Sequence, residues 1–475
     1  MNKIVRKNFY RLFFLLIVSS TCFAQSPGGV STNLVGWFKA NLGTTGNTDN
    51  AVVSSWADQA GTAQNLTQGT NNQRPIFNTD ASNVNSNPYV RFDGANDMMT
   101  QTSNTDFNNF TSDQRSIVVV FRTGANVTNT QVLYEEGGGT TTQDVGINIY
   151  VANSLVFVSA WNVPNRGTGS PWTWKGVSGA VAANTTYIVT MVMNGNTTIT
   201  GTITGYLNGA SLGSAANVGR LYTHTGATGV GRRNGATRVS TGVLGANSPL
   251  AGDILEIVYY KSTALTNTDR NKIESYLAIK YGVTLNQTVP TDYVNAAGTV
   301  VYAASTSHSV YNNDIAGIGI DNTSALSQAA SRSLNADDIV TMSTASAMAN
   351  NEFLVWGNNN DDNGIIAEIA TGVPGTTTTR LDRVWRVDQE GDVGTVTLSF
   401  NLTGIAVTGT TAANFGLLID TGDSNFTAGA RMQAAASFAG NVVTFTGVDF
   451  SGDDYFTLAT NIVQPSVTMS LVPTT

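Results

Sequence analysis

Three tryptophans fall inside one short stretch, Trp161–Gly176 (WNVPNRGTGSPWTWKG), among Pro, Gly and a single arginine. Trp172 and Trp174 are two residues apart, so on an extended chain they share a face. Indole rings stack on the apolar faces of sugars, and Asn or Arg beside them can bind the hydroxyls. Arg166 and Lys175 add local positive charge to an acidic chain. Trp172, Trp174 and Arg166 are therefore the candidate ligand-binding residues. The competing reading is that these indoles cover a core, and it suits Trp161 at least as well, because Trp161 ends an apolar run.

Other chemistries lack material. The two histidines, His224 and His308, are far apart in sequence and read as turn or surface residues. Zinc sites draw on several nitrogen or sulfur ligands. No G-x-S-x-G elbow surrounds a serine. Glu135 and Glu136 are adjacent, so on a strand they face opposite sides. Asp253 and Glu256 diverge too, unless a bulge intervenes. Glu256 stands inside an apolar run, and its simplest role is a buried hydrogen bond to a loop, or to Arg91 or Arg122. Three loops are rich in oxygen ligands: Asp93/Asn96/Asp97, Asn358–Asn363 and Asp420/Asp423/Asn425. Calcium takes 6–8 oxygens from such loops, which makes Asp93, Asn96 and Asp97 the candidate metal residues. Ordinary turns, closed by Asx side chains on their own backbone, are favoured at all three loops.

The elements that must position these groups centre on Gly252–Leu285. Ile254–Tyr260 is apolar and β-branched apart from Glu256, as in a strand covered on both faces. Thr266 with Asp269 resembles a capping box. Ile273, Tyr276, Leu277, Lys280 and Tyr281 then form one helical stripe, with a lysine stem at its edge. Gly282 suits a left-handed stop. Upstream lie short strands with hairpin signals at Asn153-Ser154, Asn194-Gly195 and Asn208-Gly209. Downstream the strand pattern continues, with a helical turn possible only at Ala325–Ser333. The fold class is all-β, with two β-sandwiches. The first spans 25–286, is closed by one helix and is expected to fold alone. The second, Greek-key-like, spans 287–460. Residues 461–475 read as a linker or tail.

The chain has 475 residues, with only 12% charged and 41% hydrophobic, which favours folded structure over disorder. Residues 1–24 read as a signal peptide: a basic start, an apolar run over Leu12–Val18, and Cys22-Phe23-Ala24 before the cut. Residues 1–25 carry four bases and no acid, leaving 20 bases against 32 acids. That balance disfavours nucleic acid and anionic membrane as partners. Cys22 is the single cysteine, so after cleavage no thiol chemistry remains. No later segment could span a membrane.

Several motifs carry a family resemblance. PGGVSTNLVGWFKANLG, VSSWADQAG, NPYVRFDGAND, GYLNGASLG and the closing IESYLAIKYGVTL resemble LamG-like (concanavalin A-like) domains of secreted bacterial surface proteins. Residues 290–460 resemble an uncharacterised β-domain of the DUF8202 type that often follows them. The resemblance implies a concanavalin A-like jelly roll, with calcium at one edge in many members. The fold also hosts glycosidases with Glu-x-Asp-x-x-Glu on one strand, and no segment here fits that pattern. The expectation is a secreted or cell-surface protein that binds a glycan or a surface protein, as an adhesin or glycan-binding module, without catalysis. The alternatives are a structural spacer and a polysaccharide hydrolase.

Overall fold

The computed structural model describes residues 25–79, 84–102, 104–138, 145–162, 173–234, 237–243, 247–367, 379–407, 409–426 and 429–460. The segments expected to be a signal peptide and a tail lie outside them.

The N-terminal unit is a sandwich of two eight-stranded antiparallel sheets. Its centre is the strand Ala251–Lys261. Gln114–Thr123 pairs along one edge of it, while Tyr89–Asp93 and Leu34–Lys39 share the other. The expectation of a strand covered on both faces holds. Ile254, Ile257 and Tyr259 enter the core between the sheets, and Leu255, Val258 and Tyr260 enter a second core behind it. A bulge between Ile254 and Glu256 lets both faces be filled. The second sheet runs Trp174–Ala180, Leu155–Trp161, Gly146–Ala152 and Gln131–Gly137, then four shorter strands.

Two hairpin signals act as expected. Asn153 and Ser154, and Asn208 and Gly209, have positive φ and join strands in tight register. Asn194-Gly195 does not. Asn194 ends its own strand, and the chain returns only at Gly201. Gly195 is needed for room, since a Cβ there would press on the Gly219 carbonyl.

The helix spans Asn267–Tyr281. The Thr266 hydroxyl accepts from the Asp269 amide, and Gly282 stops the helix at φ 65°. The single stripe with Lys280 at its edge is a misreading. Every residue from Ile273 to Tyr281 is buried, because the helix has a core on both sides. The first sandwich contributes Trp37, Val118 and Val258. Tyr293, Val301, Ile315, Leu326 and Phe353 come from beyond the helix. Amide side chains tie the same junction: Asn87 donates to the Lys280 carbonyl at 2.6 Å and to Gln328 at 3.1 Å. The helix is thus shared by the two units.

The C-terminal unit packs a nine-stranded sheet against a five-stranded one. Trp356, Trp385, Phe400, Phe445 and Phe456 fill the space between. The helical turn expected at Ala325–Ser333 is absent. Leu326–Gln328 and Ala330–Arg332 are strands, with Leu326 and Gln328 buried on one face at a period of two.

Candidate functional site

Alternation along two hairpin strands sorts residues onto the faces of the second sheet. Ile147, Ile149 and Val151, with Val156, Val158 and Ala160, point into the sandwich. Asn148 and Tyr150, with Phe157, Ser159 and Trp161, therefore point outward. Register aligns these in rows. Glu135 stands beside Asn148, Asn148 beside Ser159, and Ser159 beside Gly176. One row over, Tyr150 pairs with Phe157; one row the other way, Trp161 pairs with both Gly146 and Trp174.

The aromatic groups form a graded platform. Tyr150 and Phe157 stack at 4.7 Å, only 4° from parallel. Trp174 meets Phe157 edge-on at 6.4 Å. Tyr150 and Trp161 are buried, while Phe157 and Trp174 are half-buried. The indoles lie down on the sheet because glycines make room. A Cβ at Gly146 would sit 2.6 Å from the Trp161 ring, and one at Gly176 would sit 2.5 Å from the Trp174 ring.

The polar row is held from above by Asn234 and residues 237–240. The Asn234 amide donates to Glu135 at 2.7 Å, and the Thr237 hydroxyl donates to its other oxygen. Asn148 donates to the Arg238 carbonyl at 2.9 Å and accepts from Ser159. Burial pushes the Tyr150 hydroxyl up to about 12, so it stays neutral and able to donate. Phe157 and Trp174 leave ring surface partly exposed beside this row, whereas Asn148, Ser159, Glu135 and Thr237 are buried and bonded to one another or to the covering segment.

Of the predicted binding residues, Trp174 joins this face. Trp172 and Arg166 lie outside the described residues. Trp161 is buried, as its strand-end position suggested. Phe157, Tyr150, Asn148 and Ser159 were missed, although the alternations INIYV and LVFVSAW carry them.

Asp93 closes a turn on itself, accepting from the amides of Ala95, Asn96 and Asp97. Burial works to raise its pKa, but those amides outweigh burial and hold it below the ordinary value. Asp97 accepts from the Asp93 amide and is pushed up to about 6 by burial and by the Asp93 charge. The carbonyl of Asn96 accepts from Arg232. Asp420 and Asp423 cap their own loop in the same way.

Glu256 is buried, but not beside Arg91 or Arg122, which pair with Asp253. Instead it faces the helix. Trp37 donates to it at 2.6 Å, Lys280 at 2.7 Å, Tyr281 at 2.8 Å and Tyr276 at 2.9 Å. Burial alone would raise its pKa; Lys280 and the hydrogen bonds outweigh burial and hold it below the ordinary value.

Glu135 and Glu136 do face opposite sides. Glu136 enters the first core with Arg115 at 2.6 Å, both fully buried, and burial pushes it up to about 7. The histidines are not at the surface. His224 is fully buried and His308 is 1% exposed; burial drops His224 to about 3.

Residues 269–454 match the family model described as "Domain of unknown function (DUF8202)". The match begins inside the helix, so it takes most of that helix with the C-terminal unit. No curated protein matches the chain. Among solved structures, domain 4 of AbnA, an extracellular arabinanase from Geobacillus stearothermophilus in complex with arabinotriose, is similar. It is 14% identical over 52% of this chain and 98% of its own, with a TM-score of 0.33. The Ruminococcus gnavus sialidase CBM40 bound to sialyllactose is 19% identical over 34% of this chain and 81% of its own, with a TM-score of 0.26. The receptor-binding domain of botulinum neurotoxin D is 11% identical over 79% of this chain and 83% of its own, with a TM-score of 0.38. Among the described residues no helix is long and apolar enough to cross a membrane.

Proposed function

We propose that the chain is a secreted, cell-surface glycan-binding protein of the LamG-like kind, acting as an adhesin without catalysis. The observation that carries this is the pair of partly exposed rings, Phe157 and Trp174, on the outer face of a sheet and backed by buried Tyr150. Tyr150 is buried under a small outer cluster with Val132, Ala152 and Val239, against which Phe157 packs, and the partly exposed rings of Phe157 and Trp174 are where a sugar would stack in this reading. Trp172 and Arg166 stay candidates in this reading by their closeness to Trp174 in the sequence. Binding groups concentrate on loops carried by rigid scaffolds.

The reading as a binder rather than a hydrolase is supported by the carboxylates. Retaining hydrolysis needs two carboxyls about 5–5.5 Å apart in one cleft. On the outward positions of the strands Gln131–Gly137, Gly146–Ala152, Leu155–Trp161 and Trp174–Ala180, Glu135 is the single carboxylate. It is already held by Asn234 and Thr237. A glycan array probed with residues 25–475, with and without calcium, tests the proposal. Binding to a defined set of saccharides is expected. A blank array in both conditions, from folded protein, would leave the spacer reading standing.

A further inference from the structure

A group of polar atoms inside the first core is separate from the aromatic face. Arg115, Tyr134, Glu136 and Thr228 are each at most 1% exposed. Arg115 Nε and Nη2, Tyr134 OH, Glu136 Oε2 and Thr228 Oγ1 make no hydrogen bond to another protein group among the described residues. Buried polar atoms are nearly always bonded, because an unbonded one carries its full desolvation cost.

The strands bring these atoms to one place. Tyr134 and Glu136 are two apart on Gln131–Gly137 and share its inner face. Gly229 pairs with Glu135 and Val230 with Tyr134. Thr228 therefore stands across from Glu136, where facing Cβ atoms lie about 4.5–5.5 Å apart. Arg115 arrives from the opposite sheet and puts Nη1 2.6 Å from Glu136 Oε1. That one nitrogen also serves the Tyr259 hydroxyl and the Phe107 carbonyl. The Tyr259 ring lies 6.2 Å from that of Tyr134, which closes the group.

The chemistry of the group selects its partner. Arg115 Nε and Nη2 can only donate, an ionised Glu136 can only accept, and the two hydroxyls do either. An anion would suit Arg115 but be repelled by Glu136, and a metal ion would meet the reverse. A neutral molecule that both donates and accepts suits every atom present. Water does so whether Glu136 is ionised or protonated.

We propose that this end of the core holds at least one internal water molecule, bonded to Glu136 Oε2, to Arg115, and to the hydroxyl of Tyr134 or Thr228. Such waters make about 2–4 hydrogen bonds, which these groups supply. The water braces Gln131–Gly137 from within, behind Glu135 and the outer polar row.

The test is a crystal structure of residues 25–475, with two variants that each remove a hydroxyl and keep the side-chain shape. Density for a water within hydrogen-bond reach of Glu136 Oε2 and an Arg115 nitrogen is expected. Thr228→Val or Tyr134→Phe, whichever hydroxyl binds the water, should lower Tm by about 2–4 °C, the scale of one hydrogen bond in a domain of this size. A hydroxyl buried without a partner behaves oppositely, since its removal leaves Tm unchanged or higher. A core without water density at that point, or a Tm unchanged or raised in both variants, would overturn the proposal.

Discussion

Replacing Lys280 with Met removes the one cation that directly bonds Glu256 and leaves the carboxylate where it is. Glu256 is fully buried, and Lys280 is only 3% exposed. The three other donors, Trp37, Tyr276 and Tyr281, are neutral and cannot balance the charge. Breaking a buried ion pair by removing one partner costs about 3–5 kcal/mol. That is a large part of the roughly 5–15 kcal/mol that holds most domains. Lys39 also bears on this site; its pKa is lowered to about 8, chiefly by burial, with Glu256 working to raise it. The pH dependence sharpens the test. In the parent, Glu256 has a folded pKa below its unfolded value. Its contribution is therefore full above the unfolded pKa, about 4.3, and is lost as pH falls through the folded one. Without Lys280, burial raises the folded pKa above the unfolded one, so protonation relieves the strain. The deficit of Lys280→Met should be about 3–5 kcal/mol at pH 7 by urea unfolding and should shrink toward pH 5. Adding Glu256→Gln should recover part of it. A loss below about 1 kcal/mol at pH 7, or a loss that grows on acidification, would refute the reasoning.

Gly282 and Gly209 both have positive φ, but a Cβ at Gly282 would come within 2.3 Å of the Arg332 carbonyl, whereas Gly209 has nothing nearer than 3.7 Å. Gly209→Ala should cost about 1–2 kcal/mol from the backbone alone, and Gly282→Ala clearly more in the same denaturation assay. Residues 25–286 expressed alone should bind a hydrophobic dye and melt broadly, because the helix loses the cover of Tyr293, Ile315 and Phe353; a sharp melt without dye binding would show that the first sandwich owns its helix. Trp161→Ala, at a fully buried ring, should cost about 3–5 kcal/mol, and half-buried Trp174→Ala should cost distinctly less by Tm.

Local chemistry made much of the fold legible. The Thr266 cap, the Gly282 stop and the Asn208-Gly209 turn depend on neighbours in sequence, so the residues themselves announce them. What stayed hidden depends on partners far along the chain. Lys280 looked like an edge residue because nothing near it signals that Glu256, 24 positions upstream, lies across from it. The helix looked one-sided because its second apolar cover comes from strands that follow it. Asp253 and Glu256 differ by an odd number, and only the bulge near Leu255 undoes the simple alternation. At the site, Trp174 was readable from composition, but its row-mates Phe157 and Tyr150 needed the register of three strands. The histidines read as turn or surface residues, but burial of a polar ring depends on what the rest of the chain lays over it, and the fold closes over both.

The central claim is that the outer aromatic face binds sugar. Its most direct test is titration of residues 25–475 with the strongest saccharide from the array, comparing the parent with Trp174→Ala and Phe157→Ala by calorimetry. Each replacement should weaken binding by roughly tenfold or more, the scale of losing about 1.4 kcal/mol of contact, while both variants keep a cooperative melt. Unchanged affinity in well-folded Trp174→Ala and Phe157→Ala would contradict the claim and move the binding surface elsewhere on the molecule.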